Sequence, residues 1–398
     1  MGSDVEHIVV GAGISGLGAA HFAARRGLKT LVLEAAPRIG GCINSHVFEG
    51  LGGYWAEAGS HTCFNSYGNL LSILDDLGLT SEVRAKAKVG YRLWRHGERR
   101  PVTAALHPLE AAISLPRLFT TSKTGRSVAE YYGRVLGASN YRDLLRHAFQ
   151  AVICQPADDY PAEALFRRKP RRKDVIKAFT FDRGLSRLCE AIAAQPSVEV
   201  RTGQRVQGIE VDGGGFRVAI DGAEPLACAA LTLAVPPDQA ARLMPPGFEE
   251  ARAAAASIGM AEIETLVLAF RGSDLTLPPI AGLIAVDDAF YSAVTRDFLP
   301  DPGFRACAFH FRPGALAPQE QVERACAALG VASDRIAAQT RVANRLPALR
   351  VGHGAVMERL DGALANTRLG VTGNWFLGVS IEDALTRSRG ETDRLFGV

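Results

Sequence analysis

The amino terminus carries the feature that most restricts the fold, a short β-branched run followed at once by closely spaced glycines. His7-Ile-Val-Val10 leads into Gly11-Ala-Gly13-Ile-Ser-Gly16, and apolar residues then recur at helical spacing up to Arg26. After Gly27 comes a second apolar run, Thr30 to Leu33. A strand, a glycine turn, a helix and a strand in this order predict a βαβ unit, the start of a parallel sheet with crossover helices.

The lack of a side chain at each glycine of this turn serves a specific steric purpose. Gly11 permits the tight turn, Gly13 lets the backbone approach a pyrophosphate, and Gly16 allows close packing of helix on strand. The N–H groups at the helix start attract phosphate charge, and the Ser15 hydroxyl is a further donor. Glu34 ends the second strand, where its carboxylate can accept both ribose hydroxyl protons of an adenosine and would repel a 2′-phosphate. The pattern predicts a dinucleotide site rather than a turn that binds nothing, and it leaves NAD and FAD open.

A second glycine pair follows Glu34 and narrows the choice of cofactor. The stretch Ala-Ala-Pro-Arg38-Ile-Gly40-Gly41 lets the chain pass close under a pyrophosphate, and Arg38 is available to offset its charge. This E-x-x-x-R-x-G-G continuation resembles the FAD-binding amino terminus of the flavin amine oxidase superfamily, which includes protoporphyrinogen oxidases, monoamine oxidases and carotenoid desaturases. The resemblance implies FAD rather than NAD.

The segment Leu369–Leu385 supplies the second half of that family's motif. It indicates a short strand, a glycine turn and a helix from about Ile381, with Ser380-x-x-Asp383 as a capping box. The helix start after Gly378 would place partial positive charge near the flavin pyrimidine, whereas a helix that docks only for stability is the alternative for this segment alone. The resemblance implies these flavin contacts: Gly373, Asn374, Gly378 and Val379.

Within the superfamily, the form G-N-x-x-x-G-V-S-x-x-D looks more like protoporphyrinogen oxidases than amine oxidases. Asn374 stands where the amine oxidases usually carry an acidic residue. Weaker similarities follow in the expected order at Glu57-Ala-Gly59, Gly184 to Leu188, and Leu233 to Pro236. The chain is shorter than typical protoporphyrinogen oxidases, and the contraction falls between Leu165 and Phe181.

The predicted fold class is α/β, a Rossmann-like FAD-binding domain of the glutathione reductase type with an interleaved α+β substrate domain. Apolar runs around Asp212-Gly-Gly-Gly215 predict an antiparallel hairpin beside the parallel sheet, and the resemblance adds Val206 as an FAD contact. Residues 262–270 and 304–312 predict strands of a second sheet, whereas 71–182 indicates mainly helix. The expected FAD-binding domain is 1–72, 183–237 and 361–398, and the expected substrate domain, with a helical lid, is 73–182 and 238–360.

Composition and motif searches exclude several other classes. The 45 Lys and Arg against 42 Asp and Glu leave a net charge of +3, too balanced for a nucleic-acid partner. The 7 cysteines never form C-x-x-C, so neither a disulfide framework nor a metal site is expected, and a reducing cytoplasm fits. No signal peptide is evident, and no apolar run approaches the roughly 18 residues of a spanning helix. Hydrolase and metalloenzyme motifs are absent as well.

The resemblance therefore implies an FAD-dependent oxidoreductase similar to protoporphyrinogen oxidases. It would dehydrogenate a small cyclic or amphipathic substrate by hydride transfer to flavin N5 and pass electrons to oxygen or another acceptor. The flavin carries the chemistry, so no catalytic side chain is assigned, and non-covalent FAD is expected because no Cys or His follows His353. An amine oxidase or isoprenoid desaturase is the alternative enzyme, and a flavin-free binding protein of the same fold is the alternative of another class.

Two surface segments stay open to more than one interpretation. The run Arg167-Arg-Lys-Pro-Arg-Arg-Lys173 would suit an anionic substrate, a partner or lipid headgroups, although such runs are usually solvated. A helix over Ala111 to Phe119, interrupted by Pro116, would be a cavity lid or a peripheral contact with a membrane. Cys63 and His61 are assigned no role, because isolated residues of these types are more often packed or on the surface.

Overall fold

The computed structural model describes residues 5–397. Its strands are β1 (Val5–Val10), β2 (Thr30–Leu33), β3 (Ser45–Phe48), β4 (Tyr54–Glu57), β5 (Cys63–Phe64), β6 (Val83–Ala85), β7 (Tyr91–Arg95), β8 (Glu98–Pro101), β9 (Ala178–Phe181), β10 (Val198–Arg201), β11 (Val206–Asp212), β12 (Gly215–Ile220), β13 (Leu226–Leu233), β14 (Gly259–Arg271), β15 (Gly282–Ala285), β16 (Phe290–Thr295), β17 (Phe304–Phe311), β18 (Ile336–Ala348) and β19 (Leu369–Val371). Its helices are α1 (Ile14–Ala24), α2 (Gly68–Asp76), α3 (Pro108–Ser114), α4 (Val128–Leu136), α5 (Ala138–Asn140), α6 (Arg146–Ile153), α7 (Ser186–Ala193), α8 (Pro237–Leu243), α9 (Glu249–Ala256), α10 (Pro318–Leu329), α11 (His353–Leu364) and α12 (Ile381–Phe396).

The first sheet contains the predicted βαβ unit. Its strand order is β10-β2-β1-β13-β12-β11, and β19 also pairs with β13. Strands β10, β2, β1, β13 and β19 run parallel, and β11 and β12 form the predicted antiparallel hairpin. The α/β fold class is therefore confirmed. The carboxyl ends of the parallel strands meet at one edge of the sheet, which is where ligands bind in sheets of this kind.

Helices α1 and α12 lie against each other and join the two ends of the chain. A Cβ on Gly18 would lie only 2.5 Å from Leu385 Cδ2, so the absence of a side chain at Gly18 permits this close packing. The Ser388 hydroxyl donates to the Ser15 carbonyl at 2.7 Å and lies 2.9 Å from Thr372 Oγ1. The segments predicted to close around one cofactor are thus held side by side.

The second sheet has the strand order β18-β14-β17-β16-β15-β7-β8. Both strands predicted for it are confirmed, as β14 and β17. Cys307, Phe309 and Phe311 share one face of β17 with the core beneath α10. The other face carries Ala306 and Ala308, which pack with residues of β3 and β4 near the first sheet. Both faces of the sheet are therefore covered, one by α10 and the other by residues of β3 and β4.

The prediction that residues 71–182 are mainly helical was wrong in part. Strands β6 to β9 lie in this region, and β7 and β8 join the second sheet as its edge. In β7, Leu93 and Trp94 are buried while the flanking arginines are more exposed, so the strand offers only two apolar residues as a sequence signal. The domain boundaries stay a prediction, and α9, expected in the substrate domain, packs in the core of the first sheet.

No helix within residues 5–397 combines the length and apolarity needed to cross a membrane.

A buried histidine in the first sheet predicts acid sensitivity. His7 lies between β2 and β13, with ring nitrogens 3.2 Å from Thr30 Oγ1 and 2.9 Å from Thr232 Oγ1, and burial lowers its pKa to about 3. The unfolded chain therefore binds more protons below its ordinary pKa of 6.5, and the stability contributed by neutral His7 is lost as pH falls from 6.5 toward 3. We expect His7→Gln to show a shallower fall of melting temperature over this range.

The exposed His96 supplies the control for that experiment. The variant His96→Asn is expected to keep the pH slope of the unmodified protein. Equal slopes for His7→Gln and the unmodified protein would remove His7 as a source of acid lability.

Candidate functional site

The turn after β1 brings backbone rather than side chains to the carboxyl edge of the first sheet. Gly11 has a φ of +105°, and a Cβ there would lie 2.5 Å from the carbonyl oxygen of Ala234. A Cβ on Gly16 would lie 1.9 Å from the Gly11 carbonyl oxygen. These contacts leave no room for a side chain at either position, which explains why both are glycine.

The two glycine turns form a single cradle at the start of α1. Gly13 is the N-cap of α1, and no side chain in the described part of the chain caps this helix end. Gly13 pairs with Gly40 in an isolated parallel bridge, and a Cβ on Gly41 would lie 3.2 Å from Gly13 Cα. An uncapped helix start beside side-chain-free backbone suits a pyrophosphate, so the residues present fit a dinucleotide cofactor.

The Glu34 carboxylate lies at this cradle and also fixes its shape. It accepts hydrogen bonds from the Ala12 amide at 2.7 Å and the Ala36 amide at 2.8 Å, one on each oxygen. Each oxygen keeps a second lone pair for a ribose hydroxyl. The Gln204 amide donates to the Glu34 carbonyl at 2.8 Å, and Val206 begins β11 two residues later. The backbone links made by Glu34 were not foreseen from the sequence.

Arg38 has a different visible role from the one predicted. Its exposed guanidinium donates to the carbonyls of Gly41 at 2.7 Å, Ile39 at 3.1 Å and Ile43 at 3.2 Å. It therefore holds the second glycine turn in shape, while its offset of pyrophosphate charge stays a prediction. Ser15 is buried and its carbonyl accepts from Ser388, so the use of its hydroxyl also stays a prediction.

The turn that follows β19 lies at the same edge of the first sheet as the turn that follows β1. The Trp375 indole N–H donates to the Val235 carbonyl at 3.1 Å, and a Cβ on Gly373 would lie 2.3 Å from Trp375 Nε1. The Thr372 amide donates to the Leu233 carbonyl at 2.9 Å. Gly373 and Asn374 therefore lie beside residues 233–235, the segment that Gly11 also contacts.

Gly378 and the start of α12 form the next part of this edge. Gly378 has a φ of +152°, and a Cβ there would lie 2.9 Å from both the Ala164 carbonyl oxygen and Asp383 Oδ2. The Ser380 hydroxyl accepts from the Asp383 amide at 3.1 Å, so Ser380 caps the helix as predicted, but the reciprocal half of the capping box is replaced by a bond from the Ser380 hydroxyl to Asp383 Oδ2 at 2.5 Å. The Lys169 ammonium lies 2.7 Å from Asp383 Oδ1 and 3.2 Å from Ser380 Oγ. Lys169 was missed, because no local spacing links residues so far apart in the chain.

The segment Glu57 to Ser60 runs beside the residues that follow Gly41. The Glu57 carboxylate accepts from the Leu185 amide at 2.8 Å and the Ser45 hydroxyl at 2.9 Å, and burial raises its pKa to about 7. A Cβ on Gly59 would lie 2.0 Å from the Cys42 carbonyl oxygen, and the Ser60 amide donates to that oxygen at 3.0 Å. This segment therefore continues the cradle beyond Gly41.

His61, the residue after Ser60, is near the Lys86 cation and a second histidine, His310. The Lys86 ammonium donates to the His61 carbonyl at 2.9 Å, lies 3.7 Å from the centre of the Phe298 ring, and has its pKa lowered by burial to about 8. Burial also lowers the pKa of His61 to about 3 and that of His310 to about 4. His310 Nδ1 lies 3.1 Å from Thr265 Oγ1 on the sheet face turned toward β4. Both imidazoles are therefore neutral at pH 7.

Comparison with known families agrees with this geometry. Residues 14–279 match the family model described as flavin containing amine oxidoreductase. The chain belongs to this family. Membership of this family identifies the cofactor as FAD and favours an oxidoreductase over the flavin-free alternative. FAD, when bound, supplies the redox chemistry.

Curated relatives match over limited stretches. Protoporphyrinogen oxidase 2, chloroplastic/mitochondrial, of Arabidopsis thaliana is 38% identical over 107 residues, 27% of this chain and 20% of that protein. The 15-cis-phytoene desaturase of Narcissus pseudonarcissus is 34% identical over 82 residues, 21% and 14% of the two chains. Pseudooxynicotine dehydrogenase of Pseudomonas sp is 26% identical over 270 residues, 58% and 52% of the two chains. The chain thus spans about half or less of the length of these relatives.

Solved structures share the fold over nearly the whole chain. A protein from Exiguobacterium sp. 255-15, provisionally named a protoporphyrinogen oxidase, has a TM-score of 0.78 at 17% identity, with 98% of both chains covered. Putrescine oxidase bound to putrescine has a TM-score of 0.72 at 15% identity over 99% of both chains. A fatty acid isomerase from P. acnes that produces CLA reaches 0.77 at 15% identity over 100% of both. At these identities the similarity establishes the fold alone.

Glu34 provides the sharpest test of the adenosine end of this site. In Glu34→Gln the side chain loses its charge and presents an amide NH₂ toward the Ala12 or Ala36 amide. Hydrogen bonds to charged groups are worth about 1.5–3 kcal/mol, so FAD affinity should fall about tenfold to a hundredfold. The measurement is fluorescence titration of the cofactor-free protein with FAD. Glu210→Gln, an exposed change on β11 of the same sheet, should leave affinity unchanged. Unchanged affinity in Glu34→Gln would contradict the assignment.

Proposed function

We propose that the protein dehydrogenates a small cyclic or amphipathic organic molecule, as the protoporphyrinogen oxidase-like enzymes of its family do, with FAD held non-covalently. The observation that carries the proposal is the convergence of Gly11 and Gly373 on residues 233–235, which joins both halves of the family's cofactor motif at one edge. The substrate loses two electrons and two hydrogens, one as a hydride and one as a proton that leaves to solvent. Oxygen or another acceptor then takes the electrons.

The cofactor would lie along the side-chain-free edge. The pyrophosphate would lie at the start of α1, the adenosine toward Glu34, and the flavin ring toward the carboxyl-terminal turn. The residues proposed to hold FAD are Gly11, Gly13, Ser15, Gly16, Glu34, Arg38, Gly40, Gly41, Val206, Gly373, Asn374, Gly378 and Val379.

Charge near the second sheet favours a neutral or anionic substrate over an ammonium. Next to Ser60, His61 has its carbonyl bound by the Lys86 cation, and burial keeps the imidazoles of His61 and His310 neutral. Glu57 is buried and burial raises its pKa to about 7, so it is a weaker counter-charge for a substrate amine than an ordinary carboxylate. A cationic amine buried without a partner would be strongly disfavoured. This supports oxidation of a porphyrinogen-type or isoprenoid-type substrate rather than of a primary amine.

The test is a flavin assay followed by a substrate screen. We expect about one FAD per chain in the purified protein, released by acid precipitation because no covalent bond holds it. Under anaerobic conditions, the flavin absorbance should bleach with porphyrinogens or isoprenoids and persist with primary amines. Bleaching by amines alone would replace the proposal with amine oxidation, and a protein that takes up no FAD would end it.

We also propose that the protein makes peripheral contact with an anionic membrane surface. The predicted helix over Ala111 to Phe119 begins earlier, as α3 at Pro108, and becomes a 3-10 turn at Leu115–Phe119. Leu109 is 74% and Phe119 is 89% exposed. The large exposed apolar side chains of this segment form what we call the apolar face: Leu106, Leu109, Ile113, Leu115, Leu118 and Phe119. Contiguous exposed apolar side chains of this kind mark interaction sites.

The charged residues of the same segment favour binding to negatively charged lipid. Glu110 is the single carboxylate of residues 106–120, and it is turned inward to accept from the amides of Ser139 and Asn140, both at 3.0 Å. Arg117 is exposed at the apolar face. An amphipathic segment with apolar residues and a cation, and without an outward carboxylate, suits the interface of an anionic bilayer.

Vesicle sedimentation tests this surface. The full-length protein should bind phosphatidylglycerol vesicles more tightly than phosphatidylcholine vesicles, and Leu109→Ser with Phe119→Ser should weaken binding about tenfold, because two apolar side chains no longer enter the interface. Val211→Ser, at a 55% exposed position on β11, is the matched control. Failure of the unmodified protein to bind, or self-association through this face instead, would contradict the proposal.

A further inference from the structure

The basic run Arg167–Lys173 is anchored to the protein rather than fully solvated. Lys169 is 20% exposed and its ammonium pairs with Asp383, which is 9% exposed. Farther along, the Arg172 amide donates to the Asn65 carbonyl at 2.8 Å, and Asn65 Nδ2 donates to the Arg172 carbonyl at 2.8 Å. Lys173, by contrast, is exposed. Within the run, Lys169 is the cation that reaches the cofactor-binding edge.

Asp383, the partner of Lys169, lies beside the backbone that the family motif assigns to the flavin. Asp383 lies in the first turn of α12, where its amide is capped by the Ser380 hydroxyl. Its Oδ2 is so close to Gly378 that a Cβ on Gly378 would lie 2.9 Å away. The carboxylate is therefore beside the backbone that the family motif assigns to the flavin. The neighbouring Glu382 carboxylate is turned away, because it accepts from the amides of Asn69 and Leu70.

An unpaired carboxylate at this point would oppose flavin reduction. Reduction adds negative charge to the flavin, and a charge that is mostly buried is poorly screened by solvent. The positive end of the α12 dipole favours an anion here, but a bare Asp383 would cancel that effect. Paired with Lys169, the carboxylate is neutralised and the helix end keeps its favourable sign.

We propose that Lys169 is a positioning residue that neutralises Asp383 and so favours the reduced over the oxidised form of the bound flavin. This inference rests on the proposed function, because it requires FAD with its ring near Gly378. It gives the basic run a specific role that is neither substrate capture nor a solvated surface.

The test is the midpoint potential of bound FAD, measured with a dye couple, together with FAD affinity. Lys169→Gln should lower the ratio of affinities for reduced and oxidised flavin about tenfold, which for a two-electron couple is about 30 mV. Lys169→Arg should restore most of that ratio because the charge is kept. Lys169→Gln combined with Asp383→Asn should return the ratio close to that of the unmodified protein. Lys173→Gln is the matched control in the same run and should change nothing.

A merely structural role predicts a different pattern. It would lower the melting temperature of the cofactor-free protein in both Lys169→Gln and the double variant without moving the potential, and that pattern overturns the inference. Should Lys169→Gln fail to fold, Asp383→Asn alone decides, since it should raise the ratio about tenfold and an unchanged ratio overturns the inference. A protein that binds no FAD contradicts the proposed function, whereas FAD bound with an unshifted potential contradicts only the role of Lys169.

Discussion

The rest of the site depends on the close approach of backbone to backbone at the carboxyl edge of the first sheet. Gly11 presses against the Ala234 carbonyl, Gly16 against the Gly11 carbonyl, and Gly41 against Gly13. Any side chain at these points would push α1 off the sheet or fill the cradle. The packing of α12 on α1 at Gly18 then brings the carboxyl-terminal turn to the same edge. A cofactor site made of backbone in this way tolerates wide sequence change elsewhere.

The carboxyl groups near this edge are hydrogen-bonded or ion-paired within the protein, and this affects which ligands the site can bind. Glu34 and Glu57 each accept two hydrogen bonds from the protein, and Asp383 pairs with Lys169. Buried charges without partners would be strongly unfavourable, so each carboxylate is tied to the shape of a specific turn. On the side proposed for the substrate, the Lys86 ammonium donates to the His61 carbonyl, and burial lowers the pKa values of His61 and His310. The same pairing that stabilises the fold thus also biases what can bind.

The parts of the site that the sequence predicts correctly are those specified by local spacing. The βαβ unit, the hairpin at Asp212–Gly215 and the Ser380 cap follow from residues a few positions apart, and the structure confirms all three. Lys169, Lys86 and His310 were missed because each acquires its neighbours only through tertiary contacts. Strand β7 was missed within a region predicted to be mainly helical, because Leu93 and Trp94 alone carry its apolar pattern among arginines. Arg38 lies in the second glycine turn, but its hydrogen bonds to three carbonyls of that turn could not be read from the residue pattern.

The difference between backbone contacts at the cofactor edge and side-chain contacts elsewhere explains why one fold can serve several reactions. The solved structures with this fold include an amine oxidase that binds putrescine and a fatty acid isomerase, at 15% identity to this chain. In this chain the backbone contacts at the glycines need only the absence of side chains. The face of the second sheet that carries Thr265 and His310 packs on residues of β3 and β4 through side chains. Substrate preference is therefore expected to depend on the side chains of that face and around Ser60, whereas the cofactor edge of this chain is built from glycines and backbone.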